Sequence, residues 1–205
     1  MANILHVDTS PRGERSISRG LTKQFVSTWL AAHPGDTVTY RDIGHDPVPH
    51  VDEAWIAGAF SPEDQRTPEL EAALKISDEL IDELLAADIY VFGAPMYNFG
   101  ISSVFKAYVD QVARVGRTFA ITQNGFEGLL KNKKAFVITA RGGSFAPGTP
   151  FAQYDFQEPY LRTFFGFIGV TDVTFIHAEN LSGDEAREKT LIAAKEAIER
   201  LVATR

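Results

Sequence analysis

The sequence predicts a doubly wound α/β protein: a three-layer sandwich whose five-stranded parallel sheet has the order 2-1-3-4-5, with helices on both faces. Three observations predict it. Five short, nearly continuous apolar runs punctuate the chain, as expected of strands buried on both sides. Segments of helical periodicity separate them, so the strands pair in parallel through crossover connections. The length of 205 residues, 44% of them hydrophobic, suits one domain spanning residues 1–205 and fits five strands better than the six-stranded dinucleotide-binding order.

The first strand is Asn3 to Asp8 (NILHVD), closed by a polar loop. After Ser10-Pro11-Arg12-Gly13, Leu21, Phe25, Val26 and Trp29 recur at helical spacing as far as Pro34-Gly35. Thr37 to Ile43 (TVTYRDI) is the second strand. Asp46 to Pro68 is irregular, with four prolines and a short helix over about Asp52 to Phe60. Thr67 as N-cap and Pro68 at the first helical position open a long helix. Its inner face is Leu70, Leu74, Ser77, Leu80, Ile81, Leu84 and Leu85, and it ends near Ala87.

Ile89 to Ala94 (IYVFGA) is the third strand. A helix over about Ser102 to Val115 turns Val104, Phe105, Tyr108, Val109 and Val112 inward, and Gly116 to Asn132 reads as loop. Lys134 to Ala140 (KAFVITA) is the fourth strand, followed by a helix from about Phe156 to Ile168 and a fifth strand, Asp172 to His177. A capping box, Ser182-Gly183-Asp184-Glu185, opens a final helix running to Ala203.

Composition narrows the chemistry. Without cysteine there is no disulfide scaffold, thiolate metal site, catalytic thiol or CxxC redox pair. With 27 acidic against 20 basic residues and a net charge of −7, neither nucleic acid nor an anionic membrane is the expected partner. No apolar run nears the roughly 18 residues that span a bilayer, and the N-terminus lacks a signal-peptide pattern, so a soluble cytoplasmic protein is expected. Any redox chemistry must be borrowed from a cofactor.

In such sheets ligands bind beyond the carboxyl ends of the strands, where strand order reverses. Three loops of unusual composition converge there. Thr9-Ser10-Pro11-Arg12-Gly13-Glu14-Arg15-Ser16-Ile17-Ser18 supplies hydroxyls at a helix N-terminus, a setting for an anion. It contains neither G-x-G-x-x-G nor G-x-x-x-x-G-K-[ST], so a single phosphate suits it better than a pyrophosphate. The ordinary alternative is N-capping by Ser16 or Ser18. Pro95-Met96-Tyr97-Asn98-Phe99-Gly100 presents an apolar, aromatic wall with backbone amides, the surface a planar heteroaromatic ring needs; the alternative is a lid over the core. Thr139-Ala140-Arg141-Gly142-Gly143-Ser144 allows close backbone approach and an arginine that offsets negative charge, or is a turn with a solvated arginine.

Other candidates are weaker. His6 is expected to be packed in its strand, His33, His45 and His50 to be solvated, and His177 to close the edge strand. No H-E-x-x-H, G-x-S-x-G, triad or metal-ligand spacing occurs. The acidic residues between Glu69 and Glu83 are the wet face of a helix.

Three motifs carry a resemblance: Ala94-Pro95-Met96-Tyr97-Asn98-Phe99, Thr139-Ala140-Arg141-Gly142-Gly143 and Phe165-Gly166-Phe167-Ile168-Gly169. With Ser77 to Ile81 and Asn124 to Leu129, they make the chain closely similar, over essentially its whole length, to the flavodoxin-like FMN-dependent NADH-azoreductases, which also reduce quinones. The resemblance implies two-electron transfer from NADH or NADPH through bound FMN to quinones or aromatic azo compounds, with ping-pong kinetics and no obligatory side-chain acid or base.

It also implies residue roles: Ser10, Ser16, Ile17 and Ser18 at the FMN phosphate, Met96 to Phe99 flanking the ring, and Ala140, Arg141, Gly142 and Gly143 at its pyrimidine edge. Asn98, Phe99, Phe119, Ile121 and Phe165 would meet substrate, in a homodimer whose partner subunit completes each site. Relatives often have serine in place of Ala140 and an aromatic in place of Ile121. A non-enzymatic flavodoxin-type electron carrier is the alternative, and a flavin-free binding module a third.

Overall fold

Strand burial decides the architecture of the computed structural model, which describes residues 1–204. Arg205, the last residue of the expected domain, lies outside them. The chain runs β1 (Asn3–Asp8), α1 (Ile17–Ala32), β2 (Thr37–Asp42), α2 (Glu53–Phe60), α3 (Pro68–Ala86), β3 (Ile89–Pro95) and α4 (Ser103–Val112). It continues through β4 (Phe119–Thr122), β5 (Gly125–Gly128), β6 (Lys134–Ala140), α5 (Gln157–Ile168), β7 (Asp172–Ala178) and α6 (Asp184–Ala203).

The parallel sheet has the order β2-β1-β3-β6-β7, the flavodoxin-like arrangement expected, with a hairpin inserted before β6. Every residue of β3 is buried, and its side chains alternate between two cores as the strand period requires. Ile89 and Val91 join Leu21, Phe25 and Trp29 of α1 and Ile198 of α6. Tyr90, Phe92 and Ala94 join Leu80 and Ile81 of α3, Phe105 and Tyr108 of α4, and Phe165 of α5. Each large apolar side chain so buried stabilises the fold by about 1.5–3 kcal/mol. α1 and α6 therefore share one face, and α3, α4 and α5 the other.

The structure corrects four expectations. Part of the expected loop 116–132 is the antiparallel hairpin β4–β5, pairing Phe119 with Gly128 and Ile121 with Phe126. It seats on the end of α5, where a Cβ on Gly128 would overlap the backbone of Ile168 and Gly169. The capping box of α6 does not form: Gly183 is the N-cap and no side chain caps it. Leu85 is exposed instead of facing the core. Strand β2 is largely solvated along its length, as an edge strand with one paired side.

Candidate functional site

The loops after β1, β3 and β6 converge as expected, and a fourth, after β7, joins them around a cavity of about 230 Å³. The first loop is tied to β3 because Thr9 N–H and Oγ1 both donate to the Gly93 carbonyl (3.1 and 2.9 Å). Ser10, Arg12, Ser16 and Ile17 line the cavity from this side. Ser16 is also the N-cap of α1, accepting from Arg19 N–H at 3.4 Å, so capping and cavity-lining are one arrangement. Ser18 is fully buried behind it, Oγ to Oγ 3.2 Å, and does not line the cavity.

Ser10 is held from behind. Arg19 Nε and Nη2 donate to its carbonyl at 2.8 and 2.6 Å, and the same guanidinium pairs with Asp42. Asp42 also accepts from the backbone N–H groups of Gly44 and His45, each at 3.1 Å. Burial raises the Asp42 pKa, but hydrogen bonds from Arg19 and His45 outweigh it and hold the carboxyl well below the usual carboxylate range. His45, expected to be merely solvated, pairs with Asp42 at 2.8 Å. Gly44 lies against the Ser10 carbonyl so closely that a Cβ would overlap it.

Pro95, Met96 and Tyr97 form the second wall, and Met96 N–H donates to Ala140 O at 2.9 Å, locking this loop to the third. Tyr97 and Gly100 exchange two backbone hydrogen bonds of 3.0 Å around Asn98 (φ 47°) and Phe99 (φ 70°). Positive φ at both central residues makes a type I′ turn. Asn tolerates that conformation, whereas a Phe there is strained by roughly 1–2 kcal/mol; such strain concentrates at functional sites. The turn puts Asn98 and Phe99 on the exposed rim, with Phe99 against Tyr154 at 5.4 Å.

Ala140, Arg141 and Gly142 form the third wall; Gly143 stands back from it, against Phe145 and Phe151. Arg141 is 1% exposed. Its Nη1 donates to Asp155 and Glu179 (2.9 and 3.3 Å) and its Nε to Gln157 Oε1 (3.1 Å). Its charge is thus already balanced by two carboxylates, a correction to the solvated or charge-offsetting arginine expected. Its buried Nη2 has no partner among the described residues. Nearby, His177 bridges Thr139 (2.8 Å) and Glu158 (2.7 Å); burial and then the Arg141 charge lower its pKa.

The fourth loop is zipped to the third by Leu181 N–H to Arg141 O and Ser182 N–H to Gly142 O, both 3.2 Å. It brings Leu181, Ser182 and Arg187 to the cavity. Sequence reasoning missed these three, together with Arg12, Arg19, Asp42 and Gly44. The fourth loop's sequence reads as an ordinary helix start, and only α6 lying beside α1 brings it here.

Three expected substrate contacts lie elsewhere. Phe165 is fully buried at 5.5 Å from Phe92 and 5.3 Å from Phe164: it is a core residue, and its assignment to the cleft is wrong. Phe119 packs on Phe167 (4.5 Å) and Phe126 (6.0 Å) outside the cavity. Ile121, on the same hairpin, is 65% exposed. Among the described residues no His, Cys, Asp and Glu group could hold a metal ion, and no helix is long and apolar enough to cross a membrane.

A family model described as having a flavodoxin-like fold matches residues 2–202. The chain is 64% identical over 205 residues to the FMN-dependent NADH:quinone oxidoreductase 2 of Trichormus variabilis, covering 99% of each chain. It is 62% identical to the FMN-dependent NADH:quinone oxidoreductase of a Nostoc species, again over 99% of each. Among solved structures, an azoreductase from Bacillus anthracis superposes with a TM-score of 0.92 at 30% identity, with both chains fully covered. A motif set, a fold and relatives that agree over the whole length place the chain: it belongs to the flavodoxin-like family of FMN-dependent NADH:quinone oxidoreductases and NADH-azoreductases.

Proposed function

We propose that this chain is an FMN-dependent oxidoreductase carrying two electrons from NADH or NADPH to quinones and aromatic azo compounds. The observation that carries the reading is one cavity in which seryl hydroxyls at a helix N-terminus, an apolar wall and the Ala140-Arg141-Gly142 turn meet. These residues fit FMN. Ser10, Ser16 and the first N–H groups of α1 suit its phosphate. Met96 and Tyr97 suit the face of its ring, and Ala140, Arg141 and Gly142 suit its pyrimidine edge. When bound, FMN supplies the hydride chemistry that no side chain here provides. The protein's residues bind and orient it, and Pro95, Met96 and Leu181 keep water from its edge. No side chain is assigned as an obligatory acid or base.

The cavity is smaller than the ~300–1,000 Å³ of a typical enclosed ligand pocket, which supports completion by a partner subunit. A homodimer is therefore part of the proposal. Phe119 and Ile121 would act from the partner's hairpin, while Asn98 and Phe99 act from the rim. That hairpin, projecting its aromatic and aliphatic side chains into solvent, favours the enzyme over a free electron carrier. The chain is read as one cytoplasmic domain, supported by two cores that share a single sheet.

Ser16 and Ser18, two of the three serines of the first loop, test the phosphate assignment. Ser16→Ala should weaken FMN binding about tenfold, the loss of one hydrogen bond to a charged group. Ser18→Ala should leave FMN affinity near wild type and cost about 1 kcal/mol of stability. Fluorescence titration and urea denaturation read the two effects, and unchanged affinity in Ser16→Ala counts against the assignment.

A further inference from the structure

Arg12, in the loop that leads to α1, and Arg187, in α6, both line the cavity. α1 and α6 lie side by side, with Leu21 and Phe25 of one packed in the same core as Ala194 and Ile198 of the other. Both N-termini consequently open at the carboxyl edge of the sheet. Arg12 lies just before α1; Arg187 sits in the first turn of α6, its N–H donating to Gly183 O at 2.8 Å. A cation in a helix's first turn opposes the helix dipole, which favours the acidic Asp184 and Glu185 there. Arg187 is thus electrostatically misplaced for stability.

Neither arginine forms an ion pair among the described residues, although Arg19, Arg41, Arg114, Arg141 and Arg162 all do. In a chain of net charge −7, two free guanidinium groups on one cavity are a local reversal of sign. Arg141 lines the same cavity, but its guanidinium is taken up by Asp155, Gln157 and Glu179, so Arg12 and Arg187 are the cations that the cavity has free. Ser10, Ser16 and Ser182 add hydroxyls between the two arginines.

We propose that Arg12 and Arg187 form a two-sided clamp on a phosphate monoester dianion, that of FMN, and so make the site select FMN over riboflavin. The clamp rests on the flavin reading above and adds α6 to the cofactor site. Guanidinium groups bind phosphate through paired, charge-assisted hydrogen bonds, and two flanking arginines match the two charges of the dianion. The 2′-phosphate of NADPH has the same chemistry. FMN is favoured because the arginines share their cavity with the hydroxyls and free N–H groups at the start of α1.

The experiment is a fluorescence titration of the full-length, flavin-stripped protein with FMN and with riboflavin, at low and high salt. The variants are Arg12→Met, Arg187→Met and the double variant, with methionine keeping the apolar stem, and Arg187→Lys to restore charge. Each single methionine variant should weaken FMN about tenfold and flatten its salt dependence. The double variant should lose more than either, and Arg187→Lys should recover part of the affinity. Riboflavin affinity should stay at wild-type level, which also reports an intact ring site.

Wild-type FMN affinity in the double variant would overturn the clamp, as would equal losses for FMN and riboflavin. A change confined to the NADPH-to-NADH ratio of kcat/KM, with FMN affinity unmoved, would overturn it in favour of a donor site. Wild-type protein that binds neither flavin would overturn the flavin reading itself, and the clamp with it.

Discussion

Gly44→Ala should cost the protein its FMN while leaving the sheet and both cores folded. Gly44 follows β2 by two residues, and its N–H donates to Asp8 O at 3.1 Å. A methyl group there overlaps the Ser10 carbonyl and the Arg19 guanidinium, and Ser10 is backbone that cannot rotate away. The loop must move, breaking the Arg19 bridge that joins Ser10 to Asp42. Losing a hydrogen bond to the charged phosphate costs about 1.5–3 kcal/mol, so FMN affinity should fall about 10- to 100-fold. Overpacking should cost only about 1–3 kcal/mol of stability. Fluorescence titration checks the first and urea denaturation the second; wild-type affinity would show that Ser10 does not hold the cofactor.

Arg141→Met should be the most damaging single change to stability near the site. The guanidinium is 1% exposed and its carboxylate partners Asp155 and Glu179 are 13% and 14% exposed. Removing it strands two nearly buried negative charges and the Oε1 of Gln157. Breaking a buried ion pair from one side costs about 3–5 kcal/mol. Urea midpoints should fall accordingly, and Glu179→Gln in the Arg141→Met background should recover part of the loss by removing one stranded charge. A loss below about 1 kcal/mol in Arg141→Met would mean that water screens the site far more than its burial implies.

The fold was legible because its three central strands are buried on both faces. IYVFGA is apolar throughout, NILHVD and KAFVITA are nearly so, and the helices between them keep a regular inner face. The hairpin was not legible. Strands of four residues are too short for alternation to register, and what holds them is a long-range contact of Gly128 with Gly169.

In the site, Ser10, Ser16, Met96, Tyr97, Arg141 and Gly142 stood out because loops after buried strands seldom hold that mixture. Arg12 and Arg187 did not, since an arginine beside a helix start looks like any solvated charge until α1 and α6 are known to be neighbours. Phe165 failed for a different reason. Phe164, Phe165 and Phe167 crowd one helix, and only packing decides that Phe165 meets Phe92 while Phe167 meets the hairpin.

The proposed electron transfer is tested most directly by steady-state initial rates. The FMN-loaded protein, fractionated by size, is supplied with NADH and a quinone at several concentrations of each. NADH-dependent quinone reduction should appear in the fraction of twice the chain mass, with parallel double-reciprocal lines that mark a ping-pong sequence. FMN-loaded protein that oxidises no NADH in the presence of quinone would contradict the enzyme reading.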